Sequence, residues 1–272
     1  MVYNFKLSDD EFIENLNKKA SGFSDIEKYD LLVTAIYEER FKLLKFLLKS
    51  DIFVYSIDGS TSIYEHCVFR QNFKAFDLIN RYKPVTMFRD DSSLNIAVMY
   101  NLPLKRIKKL YKCGCSLNVV DYRSMTCVDW AIQQKNNTIL RFLLENGAKI
   151  LHQEEQHCLS VAVSDNNLEA VKLLLKFGVD LNEPRDLPLM LALQSGFYEM
   201  ADFLLENGAD INKKDTEGNT ALFYTAVKDD KAGLFFLLKR GADEYLSSNG
   251  ITLVKLLNDS SLREKLYSYW YE

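Results

Sequence analysis

Three histidines and five cysteines are the residues best suited to nucleophilic or metal chemistry in this chain of 272 residues. A thiol becomes a nucleophile when an imidazole within hydrogen-bond reach accepts its proton. Two His-Cys dipeptides, His66-Cys67 and His157-Cys158, invite that reading. On a helix, however, side chains one position apart diverge and do not face each other, so neither dipeptide forms a working pair. Cys113-Gly-Cys115 has the spacing of half a zinc site, but no second ligand pair follows at a matching distance. No Gly-rich phosphate loop, paired-carboxylate motif or H-E-x-x-H sequence is present. The expectation is a chain with no catalytic residue, no metal and no cofactor, whose work is binding.

The elements that position these residues repeat. The blocks Leu191–Val227 and Ser160–Asn182 share a helix with a small central residue, a tight turn, a second helix ending in Leu-Leu, a Gly and an [IL]-N exit. Indexed on the small residue, the repeats fall at Ala35, Cys67, Ala97, Ala131, Ala162, Ala192, Thr225 and Leu256, with gaps of 30 to 34 residues. An independent ruler runs through Gly114, Gly147, Gly178, Gly208 and Gly241, with gaps of 30 to 33. The two rulers rest on different chemistry, close helix packing and helix termination, and they agree in phase. The cysteines then read as packing residues. Cys67 fills the small-residue position, Cys115 stands where Ala follows the terminating Gly, and Cys127 and Cys158 share one position in adjacent repeats. Adjacent helices ~8–10 Å apart are too distant for a disulfide.

A period near 33 residues built from a β-turn and two helices resembles the ankyrin-repeat family. The best match to its pattern is Asp215-Thr-Glu-Gly218-Asn-Thr220-Ala-Leu222, following Gly208-Ala-Asp-Ile-Asn212. The family's turn histidine, which ties neighbouring fingers together, is replaced by Asn95, Met190 and Phe223, which implies a less uniform array. The resemblance implies an all-α repeat solenoid of about seven helix pairs with short β-turn fingers and a capping helix at each end. The expected layout is a capping helix over 1–28, the array over 29–257 and a second cap over 258–272, in one continuous domain. At the N-terminus, Ser8-Asp-Asp-Glu11 has the form of a capping box ahead of Phe12, Ile13, Leu16 and Ala20, with Gly22 as C-cap. Ser261–Glu264 repeats the device, and the tail Tyr267–Tyr271 is expected to shield the apolar side of the last repeat, with a short peptide docking motif as the alternative.

Composition narrows the function. Apolar residues make up 47% of the chain, enough for an ordered core, yet no stretch reaches the ~20 apolar residues of a membrane span. The opening Met-Val-Tyr-Asn-Phe-Lys lacks the apolar core of a signal peptide, so a cytoplasmic protein is expected, in a host cell if exported by another route. A net charge of −4 argues against a nucleic-acid binder. The charge is nonetheless divided: residues 40–120 carry 14 Lys and Arg against 6 Asp and Glu, and residues 121–272 carry 16 against 23.

In the family's fold, first helices and fingers line a groove and second helices form the back. By that resemblance, groove positions lie one before the small residue and two or three after it. Seven of these are the candidate partner site: Tyr37, Phe69, Arg70, Tyr100, Trp130, Gln133 and Gln134. Rings beside Arg and Gln have the composition of an interface core. The same rings could instead lean into the seams between repeats. The primary expectation is a monomeric, non-catalytic module binding a partner protein or peptide. Two alternatives stay open: a nucleotide or small-molecule sensor using Phe69, Arg70 and Lys83, and a basic ridge of Lys105, Lys108, Lys109 and Lys112 meeting an acidic partner or anionic membrane. The degenerate, Phe-, Tyr-, Lys- and Asn-rich repeats resemble those of poxvirus host-range factors, intracellular bacterial effectors and protozoan ankyrin proteins.

Overall fold

The computed structural model describes residues 7–18, 23–50, 52–57, 61–83, 92–121, 123–150, 158–182 and 187–245. Ala20, Gly22, His152, His157, Leu256, Ser261–Glu264 and the aromatic tail lie outside them. The chain divides into two compact units, Met1–Lys149 and Ile150–Glu272. Among the described residues all regular structure is helical.

In the first unit α1 (Asp9–Lys18) precedes four helix pairs: α2 (Asp25–Tyr37) with α3 (Phe41–Lys49), α4 (Ile63–Phe69) with α5 (Phe73–Tyr82), α6 (Ser93–Met99) with α7 (Leu104–Lys112), and α8 (Cys127–Gln133) with α9 (Asn137–Glu145). In the second unit the pairs are α10 (Cys158–Ser164) with α11 (Leu168–Lys176), α12 (Pro188–Gln194) with α13 (Tyr198–Glu206), and α14 (Ala221–Val227) with α15 (Lys231–Lys239). Helices this short are marginal alone, so each depends on its neighbours. Within each pair the two helices pack together. In the first unit, first helices pack on first helices (α2 on α4, α4 on α6, α6 on α8) and second on second (α3 on α5, α7 on α9).

The small residues make this approach possible. Ala35, Cys67, Ala97, Ala131, Ala162 and Ala192 are fully buried, and Thr225 nearly so. Four residues after each comes a left-handed residue: Glu39, Gln71, Asn101, Lys135, Asn166, Gly196 and Asp229, with φ between +50° and +72°. It turns the chain so that the next backbone N–H donates to the carbonyl of the small residue at 2.8–3.0 Å, from Arg40 to Ala35 through to Asp230 to Thr225. At four of these donors, Asn72, Asn136, Asn167 and Asp230, the side chain then caps the second helix.

The second helices end as the glycine ruler predicts. Gly114, Gly147, Gly178, Gly208 and Gly241 all have positive φ. The residue after each donates to the carbonyl five positions back, as in Ala148 to Leu143 and Ala209 to Leu204, which is the Schellman closure. The N-terminal capping box forms as expected, with Ser8 N–H donating to Glu11 Oε2 at 2.9 Å. Phe12 and Leu16 are buried. Arg40 fastens α1 to the first pair, its Nε donating to Asp9 Oδ1 at 2.7 Å and its guanidinium lying 5.0 Å from the Phe12 ring centroid.

The missing turn histidine is partly compensated. Asn95 stands there, fully buried, and its Nδ2 donates to the carbonyls of Val119 (2.7 Å) and Met125 (2.9 Å) on the next finger. In the preceding repeat Glu65 holds that position; it closes its own capping box with Ser62 and accepts from the Ser92 backbone of the next repeat at 3.1 Å.

Backbone conformation gives paired predictions of opposite sign. No atom lies within 4 Å of a Cβ added at Gly208, so Gly208→Val is penalised by its φ of +98° alone. It should lower the melting temperature, by roughly 2–4 °C for each 1 kcal/mol of left-handed cost. Gln71→Gly, at φ +53°, should raise it. An unchanged melting temperature in both would contradict the assigned repeat phase.

Gly233 packs against the cap of its own helix. A Cβ on Gly233 would clash with Asp230 Oδ2 and meet Thr225 Cγ2 at 2.9 Å. Asp230 Oδ1 accepts from the Gly233 N–H at 3.0 Å, so Gly233→Ala should displace this cap and destabilise the chain, although a helical Gly-to-Ala change alone favours the helix by about 1 kcal/mol. In an Asp230→Ala background, where the cap is already lost, the same change should cost less; additive effects in urea unfolding would show that Asp230 and position 233 do not share the space.

Candidate interaction surface

The side chains around the small residues sort by offset. One position before it, Trp130 and Tyr224 direct their polar tips to the finger of their own repeat. The Trp130 indole N–H donates to Asp121 Oδ2 at 2.8 Å, and the Tyr224 hydroxyl donates to Asp215 Oδ2 at 2.7 Å. Each aspartate also closes its turn: Asp121 Oδ1 accepts from the Arg123 and Met125 N–H groups, and Asp215 Oδ1 from those of Glu217 and Asn219. Trp130 is only 6% exposed. It corrects the expectation of an open groove ring, because the finger carboxylate holds the indole down.

Two and three positions after the small residue, the rings stay in solvent. Tyr37 is 40% exposed, Phe69 39% and Tyr100 56%. They form a connected strip on α2, α4 and the end of α6. The Tyr37 and His66 rings meet edge-on at 5.5 Å, His66 and Phe69 at 6.5 Å, and Phe69 and Tyr100 at 5.8 Å. His66 is the half-buried keystone. Its Nδ1 lies 3.0 Å from the Tyr37 hydroxyl and its Nε2 3.0 Å from the Tyr29 hydroxyl. The Arg70 guanidinium lies 4.8 Å from the Tyr37 ring centroid. Gln133 and Gln134 are exposed at the end of α8, and Gln134 Nε2 donates back to the Met99 carbonyl at 2.9 Å. The strip thus brings together Tyr37, Phe69, Arg70 and Tyr100. Sequence reasoning missed Tyr29 as a support, since it lies six residues before the small position.

The sensor triad of Phe69, Arg70 and Lys83 is not brought together by any shared contact: Arg70 stacks on Tyr37, whereas the Lys83 ammonium sits 5.6 Å from the Phe53 ring centroid. On α7, Lys105 and Lys112 are exposed. Lys109 pairs with Asp77 at 2.6 Å and Lys108 lies over the Phe142 ring. None of the five cysteines, all among the described residues, forms a disulfide. Cys127 donates to the Leu117 carbonyl at 3.0 Å, and burial pushes its thiol up to about 12. Among the described residues no three potential metal ligands converge, and no helix is long and apolar enough to cross a membrane.

The ankyrin-repeat family profile, in three copies, matches residues 159–248. Residues 159–248 are a run of ankyrin repeats. A fowlpox virus putative ankyrin repeat protein, FPV031, is 35% identical over 97 residues, covering 34% of this chain and 28% of that protein. The mouse B-cell lymphoma 3 protein homolog is 28% identical over 166 residues, covering 57% of this chain and 37% of that protein. The chain therefore spans well under half the length of these curated relatives. The crystal structure of the ankyrin repeat domain of Bcl-3 superimposes with a TM-score of 0.55 at 23% identity, covering 83% of this chain and 92% of that one. The fold is the all-α ankyrin solenoid.

His66 gives the strip a pH dependence. Burial holds its imidazole below the ordinary value of 6.5, with the Glu65 carboxylate opposing. The unfolded chain then binds a proton before the native chain does, so stability falls as pH drops below 6.5 and levels off once the native imidazole also protonates. His66→Gln should flatten the change in melting temperature between about pH 7 and pH 5. An unaltered slope would show that His66 titrates as freely in the native chain as in the unfolded one.

Proposed function

We propose that the chain is a non-catalytic interaction module that binds a partner protein or peptide on the strip formed by Tyr37, Phe69, Arg70 and Tyr100. Ankyrin repeats are generally protein–protein interaction modules. The observation that carries the proposal is the strip itself: three exposed rings joined edge-on in one row, Tyr37 to Phe69 through His66 and Phe69 to Tyr100 directly, positioned by a buried small-residue ladder. Scattered exposed rings are ordinary on a protein surface, but a contiguous row marks a place where another surface is covered. Since the rings are fixed in place before binding, little side-chain freedom is lost on association. Gln133 and Gln134 border the strip and supply polar contacts at its rim. Trp130 has the supporting role of holding the finger beside it.

The similarity to a fowlpox virus ankyrin protein supports a host-directed role, as a host-range factor or effector; in this reading the chain acts as a monomer in the cytoplasm. The lysines of α7 are assigned to solvation and to packing between second helices, as the Lys109–Asp77 pair and the Lys108–Phe142 stack suggest.

The test is a partner recovered by affinity purification and then titrated against purified variants. Phe69→Ala and Tyr100→Ala should each weaken binding by on the order of 2 kcal/mol, about thirtyfold. Lys105, Lys108 and Lys109 replaced together by Gln should change affinity little. If the triple variant abolished binding while the ring variants bound normally, the strip would not be the interface.

A further inference from the structure

Arg70 distinguishes this strip from a plain apolar one. Its guanidinium is stacked on Tyr37 and exposed, and among the described residues no carboxylate pairs with it. Of the acidic groups nearby in sequence, Glu38 and Glu65 are engaged elsewhere, and exposed Glu39 forms no ion pair with Arg70. Glu38 lies 3.9 Å from Arg40, and Glu65 is taken by the capping box with Ser62 and by the Ser92 backbone. Stacking fixes one face of the guanidinium and leaves its N–H edge open, the edge that matches the two oxygens of a carboxylate. The segment around it is basic, with 14 Lys and Arg against 6 Asp and Glu over residues 40–120.

Resting on the docking proposal above, we infer that the partner is an acidic peptide segment: one carboxylate pairs with the edge of Arg70, and flanking apolar side chains sit on Phe69 and Tyr100. A purely apolar segment would bury the Arg70 cation without a counter-charge, which is strongly unfavourable. A basic segment would add like-charge repulsion to that cost. An acidic one gains in two ways, from the charged hydrogen bonds at Arg70 and from attraction to the surrounding positive field, which speeds encounter. The rings that flank Arg70 keep water from the pair once the segment is seated.

A random peptide library selected on the full chain, followed by anisotropy titration of one enriched peptide, tests this. The enriched peptides should carry Asp or Glu beside aliphatic or aromatic residues. Arg70→Gln should weaken binding about tenfold or more. Changing the peptide's acid to its amide should cost as much against the wild-type chain, and almost nothing against Arg70→Gln. Arg70→Lys, which keeps the charge but loses the planar fork, should recover only part of the affinity. If Phe69→Ala and Tyr100→Ala weaken binding while Arg70→Gln and the peptide amide do not, the docking surface stands and the acidic partner falls. Enrichment of basic peptides would likewise overturn it. If no peptide is enriched, or if the ring and Arg70 variants all bind like wild type, both the acidic partner and the docking surface fall.

Discussion

A left-handed residue placed four positions after a buried small side chain is the constraint on which the rest of the structure depends. It reverses the chain tightly enough for the following N–H to reach the small residue's carbonyl, so the two helices of each pair leave the turn at a fixed angle. A large side chain at the first position would push neighbouring first helices apart, and a looser turn would swing the second helix away. In six of the seven described turns this conformation is held without glycine, at a cost of roughly 1–2 kcal/mol each for residues other than Asn and Asp. Side-chain caps from Asn72, Asn136, Asn167 and Asp230, and burial of the Leu pairs on the second helices, offset that cost.

That geometry also decides which side chains remain available. One position before the small residue, Trp130 and Tyr224 point their donors at Asp121 and Asp215 and become part of the finger. Two and three positions after it, Phe69, Tyr100 and Arg70 leave the helix end on the far side of the turn and stay exposed. Tyr37 and His66 join the two sets, since the His66 ring is supported by one exposed tyrosine and one buried tyrosine, Tyr37 and Tyr29. The strip is thus a by-product of the same turn that builds the fold, decorated with rings.

Much of this was legible in the sequence. The small-residue and glycine rulers located the helix pairs because close packing and left-handed termination each tolerate few residue types. What the rulers did not separate was Trp130 from Tyr100, since both are aromatic and both lie near a groove position. The difference is set by Asp121, nine residues before Trp130, and the same spacing joins Asp215 to Tyr224, an interval present in the sequence. By type, Asn95 marks the loss of a tie, yet its amide reaches both sides of the next finger. A residue's partner one repeat away depends on the stacking of the units, which periodicity alone does not give.

The central claim is that ligands meet the chain at the Tyr37–Phe69–Tyr100 strip and not at the lysines of α7. NMR of the chain with selectively labelled tyrosine, phenylalanine and lysine side chains, recorded as a bound peptide is titrated in, tests it most directly. The account predicts that the Tyr37, Phe69 and Tyr100 ring signals shift together and saturate with one dissociation constant, while the Lys105, Lys108, Lys109 and Lys112 signals stay in place. Saturating shifts confined to those lysines, with the three rings unmoved, would contradict it.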